Sequence, residues 1–221
     1  FGFLLFVLLT GTIFFARGDI LLVVFTLTMA SVCLIIAAYA VDSPYSQIGA
    51  ERELGQTMAY EPMLLLVALG FYLSSGSFSV ADIMDTSHMN ILRMPGIFIG
   101  LCFILLIKFR KSPFDISMSH EAHQELIGGL KTEISGRTLA MVELAHWYEN
   151  IFLLGLVVLF FISDSWWTAI VGLAVCELVF FGEILVDNCC ARMKWENMLA
   201  STWLLTLLAG FLNVAFLMYF K

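Results

Sequence analysis

Charge is what this sequence has least of. Lys, Arg, Asp and Glu make up 13% of its 221 residues, against roughly 25% in soluble domains. With 61% hydrophobic residues and a mean hydropathy of +0.94, this excludes an ordinary water-soluble core. Basic residues are outnumbered 11 to 18, for a net charge of −7, which argues against nucleic acid as a partner. Proline is scarce as well. Pro44, Pro62, Pro95 and Pro113 are the only four, and each stands at or near the expected end of a helix, where a missing N–H does least harm. The five cysteines, Cys33, Cys102, Cys176, Cys189 and Cys190, form no CxxC pair, so the chain offers no cysteine framework for an iron–sulfur cluster of its own; three lie in apolar runs, where Cys acts as a small hydrophobe. Internal repeats and low-complexity stretches are missing too, which disfavours a repeat transporter built from two visible halves.

What is present is a series of apolar runs, over about residues 1–15, 19–41, 62–80, 94–109, 138–162, 165–187 and 197–220. A helix needs about 20 apolar residues to cross the hydrocarbon layer. The pattern therefore predicts an all-α integral membrane protein, a polytopic bundle of about six complete transmembrane helices plus a partial one in a single transmembrane domain. The chain opens on Phe1 inside an apolar run, so an N-terminal portion is expected to precede it. If alternate connections share a side, one side receives Arg52, Lys108, Arg110, Lys111, Lys131, Arg137, Arg192 and Lys194, eight of the eleven basic residues. Positive loops stay inside, which places the polar segment 110–137 on the cytoplasmic face of the membrane. The segment 42–61 spaces Ile48, Leu54 and Met58 against Glu51, Arg52 and Gln56, the pattern of an interfacial helix.

Ionisable side chains inside a bilayer are costly and usually functional. "MVELAHWYEN" sets Glu143, His146 and Glu149 at successive i, i+3 steps, and "CELVFFGEILVDN" carries Glu177, Glu183 and Asp187. Glu61 directly precedes Pro62. Burial and a neighbouring like charge both favour the neutral form of a carboxylate, so such groups can exchange protons near neutrality, and His146 is suited to pass one on. The competing reading is that these groups pair with Arg or Lys at helix ends, or with partner subunits. "HEAH" holds His120 and His123 but is not HExxH, and no metal site is expected from it. Gly96 and Gly100 in "GIFIG" permit close helix packing.

"SPFD" followed by "EAHQELIGGLKTEISG" resembles the acidic loop of the membrane subunit that adjoins the quinone chamber in the respiratory complex I family. Pro113, Phe114, Asp115, Glu121, Ala122, Glu125, Leu126, Gly129, Glu133, Ser135 and Gly136 stand at corresponding places. His123 replaces an acid of that pattern, and Ile134 a tyrosine. The "HEAHQEL" form, with "SPYSQIGAERELGQTMAYEP" and "DNCCARMK", is more similar to the homologous subunit of group 4 membrane-bound, energy-converting [NiFe] hydrogenases, whose members have eight transmembrane helices.

The resemblance implies a non-catalytic, membrane-anchoring, ion-coupling subunit of an oxidoreductase complex. It would join a peripheral arm (hydrogenase large and small subunits and an iron–sulfur subunit, holding the nickel–iron and iron–sulfur sites) to antiporter-like membrane subunits that translocate protons or sodium. This chain would hold no metal or redox cofactor, only lipid. Carried over, Asp115, Glu121, His123, Glu125 and Glu133 form the loop's input, with Glu61 near it, and Glu143, His146, Glu177, Glu183 and Asp187 are relay candidates inside the bilayer. The alternative is the equivalent subunit of a quinone-reducing complex or of a sulfur-reducing relative. A stand-alone transporter would need broken helices at midplane, and the runs here are largely uninterrupted.

Overall fold

The computed structural model describes residues 1–117 and 128–219. The apolar runs become helices: α1 Gly2–Phe15, α2 Ile20–Tyr39, α3 Pro44–Ser75, the short α4 Val80–Met84, α5 Pro95–Lys108, α6 Gly136–Leu159, α7 Trp166–Cys189, α8 Trp195–Leu205 and α9 Leu212–Tyr219. A π-helical stretch, Thr206–Phe211, joins α8 to α9, so residues 195–219 form one continuous rod. Counting that rod once, five helices are long and apolar enough to cross a membrane. Helices α1 and α5 are shorter, at 14 residues each; the run 94–109 thus yields less than a full crossing, because Pro95 starts its helix and a tight cap ends it at Phe109. Pro44 and Pro95 sit at helix starts as expected. Pro62 does not: it lies inside α3, which absorbs the loss of one ladder bond.

Helix α3 is the axis of the bundle, in contact with α2, α5, α8 and α9. Its 32 residues extend about 48 Å at 1.5 Å each, well beyond a hydrocarbon layer of about 30 Å. The segment 44–61 and the following apolar run are therefore one helix. Its buried side carries Ser46, Gly49, Ala50, Glu53, Gln56, Thr57 and Tyr60, whereas Ile48, Leu54 and Met58 face outward. That arrangement inverts a soluble helix, for a practical reason: apolar groups gain nothing by leaving lipid, so polar ones take the interior.

Small residues set the spacing. A Cβ on Gly96 would lie 2.7 Å from the carbonyl oxygen of Ala209, and one on Gly100 would strike Met63, so "GIFIG" is the seam where α5 meets both the π-helical stretch and α3. Around it Phe71, Phe160, Leu64, Ile97 and Leu101 are fully enclosed. At one end of the bundle the α1–α2 turn pairs with residues 78–80 through Ile20 N–H to Phe78 O and Val80 N–H to Gly18 O. At the other end the first half of α3 and the segments 109–117, 128–135 and 187–194 come together, and with them most of the basic residues.

Candidate functional site

The basic end of α5 builds the site. Helix α5 closes with Arg110 N–H on Ile107 O and Lys111 N–H on Leu106 O, the paired bonds of a left-handed C-terminal cap. Its left-handed residue is Arg110, at φ 54°, where glycine is usual; a side chain there costs about 1–2 kcal/mol. The turn throws Lys108 and Arg110 into the bundle. Both Lys108 and its partner Glu149 have side chains only 5% exposed, and their charged atoms meet at 2.8 Å.

From there the contacts form one chain. Glu149 Oε2 lies 3.3 Å from His146 Nδ1, and His146 Nε2 lies 2.8 Å from an Arg110 guanidinium nitrogen. Arginine only donates, so Nε2 is the acceptor and the ring's hydrogen sits on Nδ1, directed at Glu149. The other terminal nitrogen of Arg110 reaches Glu53 Oε1 at 3.0 Å. Glu53 Oε2 accepts from the Ser117 hydroxyl at 2.6 Å. At the far end Lys108 Nζ donates to Ser31 Oγ at 3.4 Å and stands 4.3 Å over the Tyr60 ring, while the Tyr60 hydroxyl lies 3.1 Å from Ser31 Oγ and 3.3 Å from Thr57 Oγ1. Phe3 covers the imidazole, ring centroids 4.9 Å apart. Lys108, Glu149, His146, Arg110 and Glu53 thus form one run of contacts, with the imidazole between Glu149 and Arg110, and burial makes each pair depend on its neighbours.

A second set of contacts straps the segment after α5 to the bundle. Asp187 accepts from Lys111 at 3.1 Å and from the Ser112 backbone N–H at 2.8 Å. Arg192 holds both the Asp115 carboxylate, at 3.2 Å, and its carbonyl oxygen. Gln56 donates to Phe114 O at 2.6 Å, and Arg52 to Ile116 O at 3.4 Å.

The predicted residues therefore divide. His146 is inside the chain. Asp115 and Asp187 anchor the strap, and Glu143 pairs with Lys131 from the 128–135 segment. Glu183 is 5% exposed and neither carboxylate oxygen has a partner among the described residues. Glu61 is half-buried, Glu133 and Glu177 are exposed, and none of the three has a polar partner among the described residues. Glu121, His123 and Glu125 lie outside the described residues. The rival reading, pairing with Arg or Lys at helix ends, holds for Glu143, His146, Glu149 and Asp187. Sequence reasoning missed Glu53, Lys108, Arg110, Ser117 and Tyr60, and left Glu149 out of the relay. One signal was available for Glu53: Gly49, Ala50, Glu53, Gln56, Thr57 and Tyr60 share one small or polar helix face, the side that goes inward in lipid.

Fold and site together define a polytopic helical membrane protein with a buried chain of acidic and basic groups at one end of its bundle. A family model described as NADH dehydrogenase matches residues 2–218, and the chain belongs to that family. It is 26% identical over 187 residues to an NADH-quinone oxidoreductase subunit of Syntrophotalea carbinolica, covering 81% of this chain and 55% of the relative. It is 32% identical over 120 residues to the NADH-ubiquinone oxidoreductase chain 1 of Pongo abelii, covering 53% and 36%. The chain thus spans about half the length, or less, of these curated relatives. Its fold matches a chain from a membrane-bound sulfane sulfur reductase, an archaeal respiratory membrane complex, with a TM-score of 0.71 at 22% identity, covering 90% of this chain and 70% of that one.

Proposed function

We propose that this chain is the membrane subunit that couples a peripheral redox module to proton or sodium movement in a respiratory complex of the complex I class. The observation that carries the reading is the fork of Arg110, one nitrogen on Glu53 and the other on His146, with Ser117 of the adjoining segment bonded to the same Glu53. A shift of that segment moves Ser117 and Arg110 together. Withdrawing Arg110 frees His146 Nε2 to take a proton, and the imidazole can then give its Nδ1 proton to Glu149. The arm's redox change would enter at the acidic loop that follows Ser117 in the sequence and carries Glu121, His123 and Glu125, with the segment 110–137 on the cytoplasmic side.

Within that class we read the complex as hydrogenase-type, on the "HEAHQEL" and "DNCCARMK" stretches; its nickel–iron and iron–sulfur sites would then sit in partner subunits, and antiporter-like subunits would adjoin this one. The quinone-reducing alternative is favoured by the curated relatives, which are quinone oxidoreductase subunits by name, and the sulfur-reducing one by the fold neighbour, a sulfane sulfur reductase. Turnover of the intact complex with hydrogen, polysulfide or quinone distinguishes the three. In vesicles carrying that complex, Arg110→Gln is expected to lower the ions moved per electron while electron transfer to a soluble artificial acceptor persists. An unchanged ion-to-electron ratio would sink the coupling role.

A further inference from the structure

Helix α7 is the least enclosed of the long helices: 11% of its apolar window is buried, against 56% in α3. Its inward side carries the buried Thr168, Gly172 and Glu183. Glu177 stands nine residues beyond Thr168, about 180° round the helix, and is exposed. It shares its outward stripe with Ile170, Leu173 and Phe181, at 49%, 59% and 61% exposure. It is also the twelfth of 24 residues, about 16–18 Å from either end of the helix, more than half of a hydrocarbon layer of about 30 Å. A glutamate side chain is too short to snorkel that far, as Lys or Arg does from a helix end.

A carboxyl group in that position is costly against lipid in either protonation state: ionised, it lacks a counter-charge, and neutral, it lacks hydrogen-bond partners. Within the chain, no described residue supplies one. Beside the stripe runs a largely apolar groove of about 560 Å³ lined by Phe14, Phe15, Leu154, Val158, Leu173 and Cys176, with Arg17 also in its lining, of a size to take the side chains of a packed helix. We infer that the Glu177 face of α7 is a subunit interface, covered by a transmembrane helix of an adjoining membrane subunit that presents a cationic or hydrogen-bond-donating side chain at mid-depth. The inference rests on the proposed membership in a multisubunit complex and names the surface through which that assembly is made.

The test uses the intact complex in its native membrane, with a photo-crosslinking amino acid at position 170 or 181. Adducts to a transmembrane segment of another subunit, centred near a Lys, Arg, amide or hydroxyl side chain, are the expected result. Adducts to lipid alone, to another part of this chain, or to a second copy of it overturn the inference. In parallel, Glu177→Leu is expected to reduce co-purification of that subunit by roughly three- to twenty-fold, the range of interhelical hydrogen bonds in membranes, and Glu177→Gln, which keeps an acceptor, to reduce it less. Undiminished recovery with Glu177→Leu also overturns it. If the unaltered chain purifies with no other membrane subunit, the proposed function itself falls; if partners are retained but α7 labels only lipid, only this interface falls.

Discussion

Lys108 and Glu149 show what a buried ion pair does and does not contribute. Their mutual attraction roughly offsets the desolvation of both, so the pair adds little net stability, but either charge alone is expensive. Lys108→Met is therefore expected to destabilise the subunit by about 3–5 kcal/mol, and Lys108→Met with Glu149→Leu to recover most of that loss. Thermal unfolding of the detergent-solubilised complex, followed by circular dichroism, measures both; equal losses in the single and double variants would contradict the pairing. Glu183 is the opposite case, an acid with no bond to break among the described residues. Replacing it by Met removes two unsatisfied oxygens without emptying the site, and should raise stability by about 1–3 kcal/mol. The same variant is expected to lower ion translocation if Glu183 lies on the path, the trade expected where a costly group is kept for function. A lower melting temperature would show that Glu183 has a partner after all.

At the scale of helices, close approach matters more than apolar area, because lipid competes equally for apolar side chains. Gly96 touches backbone, which cannot rotate away. Gly96→Ala is expected to cost about 1–3 kcal/mol through overpacking of α5 on the 206–211 stretch. Gly11 has open space where its Cβ would be, so Gly11→Ala should be neutral or stabilising by up to about 1 kcal/mol. Comparable losses at both positions, in the same unfolding assay, would contradict this account of the packing. The helices themselves were legible from run length, and their ends from Pro44 and Pro95. The continuity of α3 was not: a proline and a patch of charges look like a boundary when read locally, and only the neighbours packed along α3 make the lost ladder bond tolerable.

Across the molecule, enclosure is uneven, highest along α2 and α3 and lowest along α7. Hydrogen–deuterium exchange on the detergent-solubilised subunit, freed of its partners, should leave the α3 amides of residues 56–71 slowest and bring α7 into exchange earlier, since local opening follows local enclosure. Equal protection of both helices would contradict that ordering. Composition and run length determined that this is a membrane-embedded helical bundle, because the hydrocarbon thickness imposes its own length on each helix. The loop motif pointed to its family, and the i, i+3 spacing put His146 and Glu149 on one helix surface. Which charges meet was decided only by tertiary structure: Glu53 and Arg110 are 57 residues apart, Lys108 and Glu149 are 41. Helical periodicity says which side of a helix a residue occupies, but not which other helix will be there to answer its charge.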